Sequence, residues 1–192
     1  MFIRSTRCST EPACHVRVRL ADGGAVILRP LRGGEIDVLD TVFEGLSARS
    51  RQQRFLVPMP RLSGSARKVL SDVDGRDHVA WVAMLRGEPV GICRYVRTGP
   101  DAAEVAFEVI DSQQGRGIGA ALVDAVTTIA HANGISRLEA TVEPGNRASM
   151  ALLNRLGMRF ALDDGLLEGR GQLTLPTPRV DRQAVLAVAG AA

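Results

Sequence analysis

The chain has 192 residues, 45% of which are apolar, and a formal net charge of +3. This length accommodates one domain with a sizeable core, and the apolar content excludes a disordered or fibrous protein. No run of five basic residues occurs, which argues against a dedicated nucleic-acid-binding or membrane-surface protein. The sequence has neither an apolar run of membrane-spanning length nor a secretory leader pattern, so we expect no membrane partner and a cytoplasmic location.

Residues that commonly bind metals are few and far apart. The cysteines are Cys8, Cys14 and Cys93, and the histidines are His15, His78 and His131. Neither set has the spacing of a disulfide framework or of a metal-ligand cluster. We therefore expect no metal site, and the cysteine pattern agrees with a cytoplasmic protein.

The hydrophobic pattern predicts an ordered series of strands and helices. In chain order these are strands at Val16–Leu20 and Ala25–Leu31, helices at Ile36–Leu46, Ser50–Leu56 and Val69–Val73, a hairpin of His78–Leu85 and Val90–Val96, a strand at Ala103–Ile110, a helix at Gly117–Asn133, a strand at Leu138–Val142, a helix at Asn146–Leu156, and strands at Met158–Leu162 and Gln172–Leu175. This order is typical of an α/β (α+β) domain around one sheet.

The two ends of the chain lack this pattern. Residues 1–15 are predicted to form an N-terminal arm, residues 16–175 the domain, and residues 176–192 a C-terminal tail. Within that tail, Gln183–Val188 could add a short helix.

The strongest local signal is the segment Gln114-Gly115-Arg116-Gly117-Ile118-Gly119-Ala120, between a predicted strand and a predicted helix. Its glycines permit a tight backbone turn, and the helix that follows begins with unpaired N–H groups and a positive dipole end. Such a turn favours an anion, most naturally a phosphate. A dinucleotide-binding loop has the pattern G-x-G-x-x-G, and the third glycine of that pattern is missing here. A nucleoside-triphosphate loop needs Gly-Lys-Ser/Thr, which is also missing. The alternative is a helix start that merely tolerates glycine.

The segment Gln114–Ala120 resembles the Q/R-x-x-G-x-G/A signature of the GNAT superfamily of acetyl-CoA-dependent N-acetyltransferases. Four other segments are similar to the same family: Asn146–Leu153 with Leu156-Gly157-Met158 to a later helix, Gly87–Gly91 to the central hairpin, Ile27–Leu31 to the first strand, and Leu46–Phe55 to the early helices of bacterial protein lysine acetyltransferases. The resemblance covers roughly residues 16–165 and is nearest that bacterial branch. It implies a GNAT-like fold, with a mixed, mostly antiparallel central sheet, flanking helices and a splayed acetyl-CoA cleft.

The resemblance also implies how acetyl-CoA would be bound. Backbone N–H groups of the glycine-rich turn would hold the pyrophosphate, and main-chain groups at Phe107 to Val109 would pair with the pantetheine arm. A backbone N–H there would stabilise the oxyanion of the reaction. Asn146 would bond the pantetheine region. The alternative is a plain helix N-cap, and the two roles are compatible. The expected cofactor-binding residues are Phe107, Val109, Gln114, Gly115, Arg116, Gly117, Ile118, Gly119, Ala120, Asn146 and Ser149.

Two carboxylates are candidates for the catalytic base. A lysine ε-amine has a pKa near 10.4, so at neutral pH it must lose a proton before it can attack a thioester. Glu104 and Glu108 lie four residues apart on one predicted strand, so they face the same side. Glu104 matches the family's Ala-Glu-aliphatic-aliphatic-Phe strand, whose Glu is the base, whereas Glu108 would shape the amine site. The alternative for Glu104 is a solvated carboxylate at a strand start.

Where many family members carry a Tyr that protonates the leaving thiolate, this chain has Leu153. The only Tyr, Tyr95, belongs to the hairpin and is predicted to be core or wall. Cys93 is predicted to be a buried thiol, and His78 has no visible partner in the sequence. Arg51 and Arg54 are predicted to form a solvated face, the alternative being that they guide an acidic substrate.

Three functions are consistent with these features. The favoured one is an N-acetyltransferase that moves an acetyl group from acetyl-CoA to a primary amine, either a protein lysine or a small molecule, by direct attack in a ternary complex. The second is a catalytically weak acetyl-CoA-binding sensor, since the Tyr is missing. The third is a subunit whose two arms dock it onto a partner. Homodimers are common in the family, so one is possible here.

Overall fold

The structure is a computed structural model that describes residues 14–190, so the predicted N-terminal arm lies almost wholly outside the described residues. The strands are β1 (Val16–Arg19), β2 (Ala25–Pro30), β3 (His78–Leu85), β4 (Glu88–Arg97), β5 (Ala102–Val109), β6 (Arg137–Val142), β7 (Arg159–Asp163) and β8 (Leu166–Gln172). The helices are α1 (Ile36–Glu44), α2 (Ala48–Phe55), α3 (Gly64–Ser71), α4 (Ile118–Ala132), α5 (Arg147–Asn154) and α6 (Arg182–Ala189), and a 3-10 turn spans Asp111–Gln113.

All strands belong to one eight-stranded sheet in the order β1-β2-β3-β4-β5-β6-β8-β7. Every neighbouring pair is antiparallel except β5 and β6, which run parallel. Parallel neighbours need a long crossover, and α4 supplies it. The predicted mixed, mostly antiparallel sheet with flanking helices is therefore confirmed.

The two faces of the sheet are covered by different helices. On one face α4 and α6 pack over a large core that includes Trp81, Tyr95 and Leu122. On the other face α1 and α3 pack over a smaller core around Val42 and Val82. Successive strand residues point to opposite faces, which is why Trp81 and Val82 belong to different cores.

The parallel pair of strands comes apart after a short ladder. β5 and β6 are paired only from Ala102 opposite Arg137 to Glu104 opposite Glu139. Beyond this point β5 stays paired with β4, and β6 stays paired with β8. A wedge-shaped gap therefore opens between residues 105–109 and residues 140–142, which confirms the predicted splay.

The last strand differs from its prediction at Gln172–Leu175. β8 instead begins at Leu166, directly after the turn residues Asp164 and Gly165, whose φ angles of +43° and +79° suit a tight hairpin. The apolar pattern is weak here because Gly171 replaces a side chain where β8 approaches the backbone of Met158, whose Cα would lie 2.8 Å from an added Cβ. The close packing therefore needs the glycine that weakens the sequence signal.

The predicted tail contains the helix that the sequence allowed at Gln183–Val188. This is α6, whose N-cap Asp181 accepts hydrogen bonds from the N–H groups of Gln183 and Ala184. Val185 and Val188 are buried in the larger core, against α4 and the first two strands. This part of the chain therefore packs with the domain. No helix among the described residues is long and apolar enough to cross a membrane.

Candidate active site

The splayed strands open into a cleft of about 490 Å³, within the usual range for a small-molecule site. Its lining comes from Ala21, from α2 and its flanks (Leu46, Ser50, Gln53, Arg54, Leu56), from β5 (104–109), from the glycine-rich turn and the start of α4 (113–120), from β6 (140–142), from α5 (Asn146, Ala148, Ser149, Leu152, Leu153) and from Arg179. Every cofactor-binding and catalytic residue predicted from the sequence is in this lining, so the fold brings them together. The roles predicted for them stay predictions.

The glycine-rich turn presents unpaired backbone donors to the cleft. Gly115 and Gly117 have φ angles of +74° and +90°, which other residues adopt at a cost. Gly117 is the N-cap of α4 and has no side chain to cap it. Among the described residues, the N–H groups of residues 115–120 donate to no acceptor. Unpaired N–H groups at the positive end of a fifteen-residue helix make a site for an anion.

The polar side chains of this turn brace it instead of entering the anion site. Arg116 Nε donates to Asp22 Oδ2 at 2.6 Å, in the turn between β1 and β2, and Nη1 donates to Gln113. The hydrogen bond from Arg116 lowers the pKa of the Asp22 carboxyl. Gln114 Nε2 donates to the carbonyl of Val109 at 3.0 Å. The turn therefore offers its main chain to a ligand.

β5 contributes a second set of main-chain groups. The N–H of Ile110 donates to the carbonyl of Val90, so even-numbered residues of β5 bond to β4. Residues 105, 107 and 109 consequently direct their N–H and C=O groups toward β6. Since β6 is not paired with β5 at this point, the N–H groups of Phe107 and Val109 face the cleft, and their pairing with a ligand stays a prediction.

Glu104 is exposed and lies where β5 and β6 part, in the last pair of the parallel ladder. It shares a face of β5 with Ala106 and Glu108, as the spacing predicted. Its carboxylate makes no hydrogen bond or ion pair with any described residue. A free carboxylate at the mouth of the gap is placed to accept a proton.

Glu108 lies deeper and is engaged in an ion pair. Its side chain is 9% exposed and accepts from Arg54 Nε at 2.5 Å, while the side chain of Arg54 is 14% exposed. Burial lowers the pKa of neighbouring Arg94 to about 10, and the negative charge of Glu108 opposes that shift. The prediction that Arg54 belongs to a solvated face is therefore wrong, because its guanidinium pairs with β5 inside the cleft.

Arg51 also differs from its prediction, and His78 has partners that the sequence does not show. Arg51 donates to the carbonyls of Phe43, Glu44 and Pro60 and lies 4.3 Å from the ring centre of Phe43, so it ties helices together. His78 contacts the carbonyl of Asp72 through Nδ1 at 2.7 Å and Arg94 through Nε2 at 3.2 Å. The partners of Arg51 and His78 are backbone carbonyls or residues far away in the sequence. A sequence pattern does not identify such partners.

Asn146 takes one of the two roles that the sequence left open, and the other stays a prediction. Its Oδ1 accepts from the N–H of Ser149 at 3.1 Å and caps α5. Its Nδ2 has no partner among the described residues, and both Asn146 and Ser149 line the cleft. The cap is therefore observed, and the amide N–H₂ stays available to a ligand.

The described lining contains no Tyr, Cys or His that could serve as a general acid. Leu153 is 1% exposed, and Tyr95 is buried with its hydroxyl donating to the carbonyl of Arg76. Cys93 is 0% exposed, which confirms the predicted buried thiol, and burial raises its pKa. Within residues 14–190, no group of three or more His, Cys, Asp or Glu could hold a metal ion.

Sequence comparisons place this geometry among known proteins. Residues 48–158 match the model of the acetyltransferase (GNAT) family. The acetyltransferase Pat of Mycolicibacterium smegmatis is 32% identical over 154 residues, covering 78% of this chain and 46% of that protein. An acetyltransferase of Pseudomonas aeruginosa is 30% identical over 159 residues, covering 80% of this chain and 86% of that protein. The chain thus spans about half the length of the Pat relative and most of the second.

Solved structures agree with the sequence relatives. The GNAT domain of S. lividans PAT is 32% identical with a TM-score of 0.77, covering 83% of this chain and 97% of that domain. A cAMP-binding acyltransferase from Mycobacterium smegmatis is 26% identical with a TM-score of 0.65, covering 92% of this chain and 55% of that one. The matched family, the sheet with its splayed strands and the glycine-rich turn lead to one conclusion: this chain belongs to the acetyltransferase (GNAT) family.

Proposed function

We propose that the chain transfers an acetyl group from acetyl-CoA to a primary amine by direct attack in a ternary complex. One observation carries the proposal: a gap between two strands leads from a free carboxylate, Glu104, to a turn of unpaired N–H groups at the start of α4. An acyl thioester attached to a diphosphate needs both features, at opposite ends of one cleft.

The backbone donors of residues 115–120 bind the diphosphate of acetyl-CoA. The pantetheine arm fills the gap left by β6 and pairs with the main chain of Phe107 and Val109. The amide N–H₂ of Asn146, held by its capping bond to Ser149, donates to the same arm. These assignments are supported by the absence of other acceptors for those donors within the described residues.

Glu104 accepts the proton of the amine, directly or through one water. The amine nitrogen forms a bond to the thioester carbon, and a β5 N–H stabilises the oxygen that becomes negative. The C–S bond then breaks, and the thiolate of CoA leaves. A thiol has a pKa near 8.5, so this is a tolerable leaving group that water can protonate, as the nonpolar Leu153 requires.

Glu108 serves the acceptor and not the proton transfer. Its carboxylate is held by Arg54 on one side and lies near Arg94 on the other. Because the guanidinium of Arg54 already occupies this carboxylate, it is less free than Glu104 to contact the amine. The pair therefore fixes α2 against β5 and shapes the wall where the amine enters.

A protein lysine is the acceptor that the early helices favour. Their sequence resembles that of bacterial protein lysine acetyltransferases. A small amine fits the same cleft. Family membership favours turnover over the non-catalytic sensor, since the relatives are named as acetyltransferases.

The test is Glu104→Gln, assayed by release of the CoA thiol. We expect kcat/KM for the amine to fall by roughly 10²-fold, with its pH dependence altered, because the amide cannot accept the proton. Affinity for acetyl-CoA, measured by calorimetry, should stay near that of the parent. Glu139→Gln is the matched control, since it lies directly opposite on β6 but outside the cleft lining. An unchanged rate for Glu104→Gln would remove this residue from the mechanism.

A further inference from the structure

Three arginines line the cleft, and two of them are already paired. Arg54 is bound to Glu108 and Arg116 is bound to Asp22. The third, Arg179, comes from the segment between β8 and α6, and its guanidinium has no hydrogen bond or ion pair among the described residues. Arg179 is therefore the one lining arginine whose guanidinium makes no ion pair with a described carboxylate.

Arg179 reaches the anion site itself. Its Nη1 lies 3.2 Å from the position that a Cβ on Gly117 would take. Gly117 is the N-cap of α4, in the middle of the unpaired N–H groups. A phosphate oxygen at this turn would thus lie within reach of both backbone donors and a guanidinium.

The backbone of Arg179 is fixed although its side chain is exposed. Its N–H donates to Asp124 Oδ2 at 2.8 Å, and the side chain of Asp124 is only 2% exposed. The next residue, Val180, is buried in the larger core. Asp124 belongs to α4, so one helix supplies both the N–H groups at its start and the carboxylate that anchors Arg179.

The position of Arg179 matters because an anionic ligand at this turn needs a positive charge nearby. The diphosphate of CoA is anionic, yet the arginine within the turn, Arg116, is directed to Asp22 and Gln113. Without Arg179, only the backbone N–H groups and the helix dipole would stabilise the negative charge of the diphosphate. A guanidinium adds charge-assisted hydrogen bonds of a geometry that suits phosphate oxygens.

We propose that Arg179 is a cofactor-binding residue that contacts the diphosphate of acetyl-CoA, and that Asp124 is a positioning residue that holds it there. The segment 176–181 is then part of the active site and not a tail. This inference rests on the proposed function, which supplies the ligand.

The first test compares ligands by calorimetry for the parent, Arg179→Ala, Arg179→Lys and the control Arg159→Ala, which removes an exposed arginine of β7 outside the cleft. For Arg179→Ala we expect the Kd of CoA to rise about 10-fold, since one charge-assisted hydrogen bond to an exposed group is lost. The Kd of CoA for Arg179→Lys should lie between those of the parent and Arg179→Ala, because lysine keeps the positive charge but lacks the two parallel donors of a guanidinium. The control should match the parent.

Ligand fragments locate the contact. Dephospho-CoA, which keeps the diphosphate, should show the same 10-fold loss, and S-acetylpantetheine, which lacks it, should show none. A loss with CoA but not with dephospho-CoA would move Arg179 to the 3′-phosphate and overturn the proposal. Equal Kd values for Arg179→Ala and the parent with CoA would also overturn it. If the parent binds no CoA at all, the proposed function itself fails, which is a distinct result.

The second test addresses Asp124. Asp124→Ala removes the acceptor for the Arg179 N–H, whereas Asp124→Asn keeps an oxygen there. We expect Asp124→Ala to raise KM for acetyl-CoA several-fold with little change in kcat, and Asp124→Asn to restore most of it. A merely structural role predicts loss of thermal stability without this KM-against-kcat split, or no rescue by Asn, and either result would contradict the positioning role.

Discussion

The two ends of the cleft are built in different ways. The cofactor end consists of main-chain donors from one continuous segment, residues 115–120, at the start of one helix. The acceptor end consists of side chains from separate elements, with Arg54 of α2 paired to Glu108 of β5 across 54 positions of sequence. A backbone site tolerates many side chains but depends on conformation, whereas a side-chain site depends on each partner.

The sharpest way to test the cofactor end is Gly117→Asp. A carboxylate at the N-cap suits the helix and can pair with Arg179, but it occupies the anion site with like charge. We expect acetyl-CoA affinity to fall by about 100-fold or more, in line with the several kcal/mol that like charges at an interface cost.

Gly117→Asn is the matched control for that variant. It has the same shape without the charge, and Asn tolerates the left-handed φ of +90° better than most residues. Its affinity should lie between those of the parent and Gly117→Asp, and both variants should have similar melting temperatures. Equal losses in the two would mean that shape, and not charge, decides binding at this turn.

This difference explains what the sequence could predict. The glycine-rich turn, the α4 limits and the burial of Cys93 and Tyr95 depend on neighbours in sequence or on hydrophobic period, and the structure confirms each. The pairing of Glu108 with Arg54 depends on which helix covers which strand. Nothing within a few residues of Arg54 records that partner.

The same reasoning explains why the sequence predicted the last strand at the wrong place and did not identify Arg179. The apolar pattern placed the last strand at Gln172–Leu175 because β8 contains Gly169 and Gly171, which close packing requires. The turn at Asp164-Gly165 was the available signal, since such a pair between strands is typical of a tight hairpin. Arg179 had no comparable signal, because its place follows from the docking of α6.

The acceptor end can be tested with a double-mutant cycle on Arg54→Met and Glu108→Gln. Removing one partner leaves an uncompensated charge in a mostly buried place, so each single variant should be destabilised more than the double. We expect a coupling energy of about 1–3 kcal/mol from denaturant unfolding. The KM for the amine should rise while acetyl-CoA affinity is retained.

The exposed pair Arg137 and Asp101 provides the control cycle. Their side chains are 59% and 44% exposed at a separation of 2.8 Å. Solvent screens such pairs, so no measurable coupling is expected. If the Arg54–Glu108 cycle also gives no measurable coupling energy, the acceptor end does not depend on the ion pair. The contrast between the two ends of the cleft then disappears.

The smallest expected effect concerns His78, which contacts Arg94 beneath the acceptor end. Burial, and then the charge of Arg94, lower the pKa of His78. The unfolded chain therefore binds a proton at a higher pH than the folded chain does. The stability that depends on neutral His78 is complete above the unfolded value near 6.5 and is lost as the pH falls toward the folded value.

Urea unfolding between pH 7.5 and 5 checks this sign. Other groups titrate in the same range, so the measured quantity is the difference between the parent and His78→Gln, whose amide can still contact the carbonyl of Asp72. We expect the parent to lose more stability on acidification, with a slope difference below about 1.4 kcal/mol per pH unit, the limit for one proton. Acetyl-CoA affinity should change equally with pH in both, because the glycine-rich turn does not contact His78 or Arg94. A parent that lost no more stability than the variant would show that protonation of this ring is not opposed by its surroundings, and that Arg94 contributes nothing to the pH response of the acceptor end.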